Sequence, residues 1–156
     1  CLTVCTVGSI DGIERLREAG MPRLNLSVSL NSADEATRSR IMPVNRAYPL
    51  ARLRQALAEW PLDKGEKLTI EFVLLAGEND SLEDAEELVK VYRKIPTHLV
   101  NVIEYNSVLG IPFEKSGEDS TQLFTDFLVK HKVNVRVRRS RGKDIDAACG
   151  QLANKG

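Results

Sequence analysis

The chain has 156 residues, 42% hydrophobic and 28% charged, the composition of an ordinary globular domain long enough to bury one core. Lysine and arginine total 22, as do aspartate and glutamate, which excludes a uniformly basic coat and leaves any polyanion site to be local. No apolar run approaches the ~18–20 residues of a membrane-spanning helix, no basic-then-apolar leader is visible, and three cysteines cannot close a disulfide framework, so a cytoplasmic protein is expected.

The chain opens at Cys1 and enters a strand-like stretch at once, so the expectation is a piece of a longer protein. Residues 2–7 (LTVCTV) are β-branched and apolar, a strand expected to lie at an exposed edge. Asp11, with Glu14 in capping-box position, is expected to cap a helix with Ile13 and Leu16 on its apolar face, ended by Gly20 and Pro22. Residues 24–30 (LNLSVSL) alternate strictly, with Asn25, Ser27 and Ser29 opposite the apolar set. That polar face suits either solvent or the lumen of a barrel. Residues 34–41 read as a short helix, and Pro49 at an N1-like position opens a longer one carrying Leu50, Leu53, Leu57 and Trp60. Residues 67–75 (KLTIEFVLL) read as a nearly continuous apolar strand with both faces covered. After a turn at residues 77–80, Ser81 caps a helix with Leu82, Ala85, Leu88, Val89 and Tyr92 on one face, whose early acids suit the helix dipole. Residues 98–105 form a strand, residues 120–131 a helix with Leu123, Phe124, Phe127 and Leu128, and residues 133–139 a last strand. Residues 144–153 read as a short terminal helix or ordered tail. Alternation of strands with helical crossovers predicts an α/β fold with parallel strands. Five strands are too few to close an eight-stranded barrel, which leaves an open sheet or a partial barrel.

Four stretches could carry chemistry. Cys1-x3-Cys5 has the opening of an iron–sulfur motif, but the next cysteine position is Gly8, and two small buried residues is the better reading. From His131 to Lys143 the cations Lys132, Arg136, Arg138, Arg139, Arg141 and Lys143 occur with no acid among them. Clustered arginine suits phosphate contacts, and equally a charged edge strand. Asn106-Ser107-x-x-Gly110-x-Pro112 follows a strand, where α/β folds place ligands, although all four residue types also form turns. Cys149 lies beside Gly150 and near an arginine-rich turn, where cations favour a nucleophilic thiolate.

RSRGKDIDAACGQLA closely resembles the C-terminal signature of the RlmN/Cfr family of radical S-adenosylmethionine (SAM) adenine methyltransferases. TVCTVG, SVSLNSADEATRSRIMPVNRAY, LTIEFVLLAGENDS and NVIEYNSVLGIPFE resemble further blocks of that family in the same order. The resemblance covers essentially the whole chain. It implies the C-terminal portion of a partial (β/α)6 barrel with parallel strands, plus a C-terminal strand and tail. Residues 1–156 would then be the later part of one domain, roughly from the third barrel strand onward. It implies a 4Fe–4S cluster whose ligands lie outside this chain, and SAM contacts at Cys5 (where the family has serine), Ser29, Leu30, Asn31 (where it has histidine) and Asn106. Cys149 falls on the family's methyl-carrying cysteine.

The function so implied is methylation of adenine carbon 2 in 23S rRNA and also in tRNA, with an electron donor to reduce the cluster. One SAM methylates Cys149; a second gives a deoxyadenosyl radical that takes a hydrogen from the methylated cysteine, whose carbon then adds to the base. Arg136, Arg138, Arg139, Arg141 and Lys143 are the expected RNA contacts. The alternatives are methylation at carbon 8, the Cfr-type activity, and a non-catalytic RNA- or SAM-binding module.

Overall fold

In the computed structural model, residues 2–139 are described. The expected tail at residues 144–153, and the candidate residues Cys1, Arg141, Lys143 and Cys149, lie outside them. The described chain runs β1 (Leu2–Thr6), α1 (Ile10–Ala19), β2 (Leu24–Ser29), α2 (Glu35–Ile41), α3 (Val44–Ala47), α4 (Leu50–Ala58), β3 (Leu68–Leu74), α5 (Leu82–Lys94), β4 (Leu99–Glu104), α6 (Glu118–Lys130) and β5 (Val135–Arg138). All strand pairs are parallel and the sheet order is β1-β2-β3-β4-β5. The α/β class, the parallel strands and the expected edge position of the first strand all hold. β1 pairs with β2 alone among the described residues.

The sheet has two unlike faces because side chains alternate along each strand. One face carries Leu24, Leu26, Val28, Leu68, Ile70, Phe72, Leu74, Val100 and Val102, and the helices cover it with Ile13, Leu53, Leu57, Leu88, Val89, Phe124 and Leu128. Phe72 and Phe124 meet at its centre with ring centroids 5.3 Å apart. The other face carries Cys5, Ser27, Ser29, Glu71, Asn101 and Arg136, none of which joins that core.

Local details correct several expectations. The cap of α1 is Ser9, whose hydroxyl accepts from the Gly12 amide, while Asp11 sits in the first turn. Serine, one residue before the first buried isoleucine, reaches the open amides that Asp11 is already too far along to cap. Pro49 is the residue before α4 rather than its first, and Trp60 lies beyond the helix although it is buried. β3 alternates buried and half-buried instead of being covered on both faces, because Thr69, Glu71 and Val73 point to the second face. Leu82 and Leu123 are exposed, and Val91 takes a buried place on α5. Cys5 is exposed rather than a small buried residue, because its strand has a neighbour on one side only among the described residues. The Ser81 cap holds, and Asp84 completes it as a capping box.

Candidate functional site

The carboxyl ends of the strands are held by a buried arginine. Arg38 leaves α2 and is fully buried. Its Nε donates to the Leu30 carbonyl at 2.9 Å. One terminal nitrogen donates to Asn45 Oδ1 at 2.9 Å, and the other to the Val7 carbonyl at 2.9 Å and the Ser29 carbonyl at 3.3 Å. The ends of β1 and β2 are thereby tied to α3. Burial lowers the guanidinium's pKa from its ordinary value, and the Glu35 carboxylate opposes that shift. Asn45 is oriented in turn by donating to Glu35 Oε1 and Ser39 Oγ. Gly8 is required beside this network. Its φ is +105°, and a Cβ there would lie 2.9 Å from the Arg38 guanidinium.

A second knot fixes the ends of β2 and β3. Asn79 is fully buried; its Oδ1 accepts from the Leu75 amide, and its Nδ2 donates to the Asn31 and Val73 carbonyls. Asn31 has a φ of 58°, and its Oδ1 accepts from the Val73 amide at 2.9 Å. Its side chain therefore continues the β2–β3 ladder where the backbone turns away.

These two knots decide which candidate residues remain open to a ligand. Leu30 has its side chain in the core, its amide bonded to the Glu71 carbonyl and its own carbonyl to Arg38. Asn31 has its carbonyl and carboxamide oxygen engaged, and its amide nitrogen faces Met42 Sδ at 3.5 Å. Ser29 is half-buried on the second face at the end of β2, and its hydroxyl makes no hydrogen bond among the described residues. Asn106, two residues beyond β4, is also half-buried, and its carboxamide makes none there either. Cys5 lies on the same face, in register with Ser27.

Register lines up a polar row across this face. Ser29 pairs with Glu71, Glu71 with Asn101, and Asn101 with Arg136. Glu71 Oε1 accepts from Ser27 Oγ at 3.0 Å and from Asn101 Nδ2 at 3.1 Å. Glu71 Oε2 and Asn101 Oδ1 are buried and have no donor among the described residues. Neither residue was singled out from sequence. The available signal was one acid and one amide inside otherwise apolar strands.

The basic segment divides. Arg136 and Arg138 are exposed on one face of β5, with no ion pair or hydrogen bond of their side chains among the described residues. Arg139 instead forms a two-pronged ion pair with Glu118, at 2.7 and 2.9 Å, beside the start of α6. Glu118 lies outside the acid-free basic segment, but α6 and β5 run in opposite directions and so bring the start of the helix to the end of the strand, which makes Arg139 less available to phosphate than its neighbours.

The donor set can be compared with the groups implied by sequence. SAM carries hydroxyl, amino and exocyclic amine donors, and the two orphaned acceptors on the second face suit such a molecule. A 4Fe–4S cluster is not suited by what is described here. Among the described residues no group of three or more Cys, His, Asp or Glu side chains could hold a metal ion. Also among them, no helix is long and apolar enough to cross a membrane.

No family model matches the chain. It is 44% identical over 155 residues to the dual-specificity RNA methyltransferase RlmN of Anaeromyxobacter dehalogenans, covering 99% of this chain and 41% of that protein. Among solved structures it is similar to a radical SAM methyltransferase from Sphaerobacter thermophilus. The TM-score is 0.86 at 38% identity, over 96% of this chain and 43% of that one. A domain of pyruvate-formate lyase-activating enzyme from Bacteroides vulgatus shares the fold, with a TM-score of 0.64 at 15% identity over 87% of this chain and 80% of that one. The chain thus spans about two fifths of the length of the RlmN relative it matches.

Proposed function

We propose that the chain belongs to the RlmN/Cfr family of radical SAM methyltransferases and is the later part of an enzyme that methylates adenine carbon 2 in 23S rRNA and tRNA. The observation that carries this reading is the polar sheet face, with Ser29, Glu71 and Asn101 in one row, in a fold similar to a radical SAM methyltransferase over 96% of its length. The relative at 44% identity bears the RlmN name, which favours carbon 2 over the Cfr-type carbon 8 reaction.

On this reading residues 1–156 form part of a single domain in a cytoplasmic protein. SAM lies on the second face of the sheet and supplies the methyl group. Ser29 and Asn106 hold it from strand ends, because both present polar groups without partners among the described residues. Cys5 is exposed at the same face and offers a weaker contact. Leu30 and Asn31 act mainly by fixing the backbone beside Ser29. Cys149 accepts the methyl group on its sulfur and presents it to the base. Arg136 and Arg138 meet RNA phosphates, with Arg141 and Lys143 continuing that surface. The cluster ligands come from residues other than those described, and the electron donor is a separate protein.

Mass spectrometry of the full-length protein purified from cells tests this. A Cys149 peptide carrying one extra methyl group is expected, with Cys149→Ala abolishing RNA methylation. Digestion of the modified RNA should release 2-methyladenosine. Methylation by the Ala variant would overturn the role of Cys149, and release of 8-methyladenosine would move the enzyme to the alternative reaction.

A further inference from the structure

We propose that the turn at residues 108–111 is an apolar wedge that enters the base stack of the RNA and holds the target adenine outside it. The inference rests on the RNA reading above but uses residues which that reading leaves aside. The turn is the apex of the loop of residues 105–117, which joins the end of β4 to the start of α6 and so lies at the carboxyl ends of the strands. The Ile111 amide closes it by donating to the Val108 carbonyl at 3.1 Å. Gly110 occupies its third position with a φ of 86°, the left-handed value that such a turn needs there. Leu109, at the second position, is fully exposed, and Ile111 and Pro112 are exposed beside it. The far end of the loop is fastened. The Ala76 amide donates to the Glu114 carbonyl at 2.9 Å, Ser116 Oγ donates to Asp80 Oδ2 at 2.6 Å, and Lys115 pairs with Glu104 at 3.1 Å. Single exposed leucines are ordinary on protein surfaces. A fastened loop that carries three adjoining apolar side chains at its tip is a different object, because the tip is held out instead of folding back.

The surroundings select the partner. Residues 105–113 carry no charged side chain, so the apex has nothing to offer a phosphate. Cations stand beside it. Arg138 is level with Ile103 and Arg136 with Asn101, and both arginines are exposed on the strand next to the one from which the loop departs. An uncharged apolar tip flanked by arginines fits a nucleic acid, with phosphates on the arginines and bases on the tip. The proposed reaction supplies the reason for such a tip. A carbon-centred group adds to adenine from a face of the ring, and in a stack neighbouring bases cover both faces. The target base must therefore leave the stack. Leucine and isoleucine are among the side chains that enter the gap between base steps and keep it open.

The test uses the full-length protein and an RNA hairpin of the substrate sequence with 2-aminopurine in place of the target adenine, a base that brightens when it leaves a stack. Wild type should bind the hairpin and brighten it. Leu109→Ser should weaken hairpin binding about 5-fold or more, the size expected when one leucine side chain is largely buried by a partner. The same variant should brighten the bound probe less, even at saturation. Leu109→Met keeps an apolar side chain of similar volume and should restore both signals. The affinity for S-adenosylhomocysteine and the unfolding temperature should match wild type in each variant. Unchanged hairpin affinity and brightening in Leu109→Ser would overturn the proposal, as would a wild-type protein that binds the hairpin without brightening it. A lowered unfolding temperature in Leu109→Ser would place the leucine against another part of the protein and would overturn it too. All three results leave the RNA methyltransferase reading intact, whereas a wild-type protein that binds no hairpin would overturn both.

Discussion

Replacing Arg38 should cost a large part of the stability of this fold. Arg38→Met keeps most of the side-chain volume and removes every donor. The carbonyls of Val7, Ser29 and Leu30 and the Asn45 carboxamide oxygen then lose four bonds at once. A bond from a charged group contributes ~1.5–3 kcal/mol, and a buried acceptor left without a donor costs ~1–3 kcal/mol. The sum is reduced because the cation no longer has to be desolvated, a penalty of several kcal/mol. The net loss expected is about 3–5 kcal/mol, set against a total of ~5–15 kcal/mol for a typical domain. Arg38→Lys should recover only part of it, since one ammonium cannot reproduce the guanidinium fork. Urea unfolding followed by fluorescence gives the readout, because Trp60 is the single tryptophan and is buried. The midpoint should fall with little change in slope. A loss below about 1 kcal/mol for Met, or full retention by Lys, would refute the idea that the fork geometry holds the strand ends.

Three further outcomes are expected. Phe72→Ala should destabilise the fold by about 3–5 kcal/mol in the same assay, since the ring is fully buried against Phe124. Asp34 caps α2, and hydrogen bonds from the Thr37 amide and hydroxyl hold its pKa below the ordinary carboxylate value. Because the folded value is depressed, its contribution is present above the unfolded value and disappears as pH falls through the lowered one, so acid titrations of wild type and Asp34→Asn should converge at the lowest pH. In the full-length protein, changing Arg138 and Arg136 to Ala should flatten the salt dependence of RNA binding by roughly 0.7–0.9 per lost phosphate contact, and an unchanged slope would make them a charged edge only.

The elements were legible because each rests on local physics. Period-two alternation marked β2, and the Ser81 box marked α5. The four-residue α3 was not legible, since one turn after Pro43 is too short for any apolar period. The candidate site was legible in part. Ser29 stands on the polar side of an alternating strand and Asn106 follows another, so strand ends and chain order located both. Arg38 was hidden within a stretch that reads only as a short helix, with nothing in its pattern to mark the arginine as buried. Only tertiary structure brings three carbonyls from two strand ends onto that one side chain. Glu71 was hidden for the opposite reason. An apolar run suggested a strand covered on both faces, and the one acid within it was the sign that it was not.

The strand order has a kinetic consequence. Each strand lies beside its predecessor, and the longest step between successive partners is that from Leu26 to Leu68. No strand must wait for a distant segment of chain before it can join the sheet. Loop-closure entropy rises only slowly with length, so the longer crossovers cost little more than the shorter ones, and the slow events are the parallel pairings themselves. The sheet can therefore grow one β-α unit at a time as the polypeptide leaves the ribosome, with β1 docked against β2 while β5 is still being synthesised.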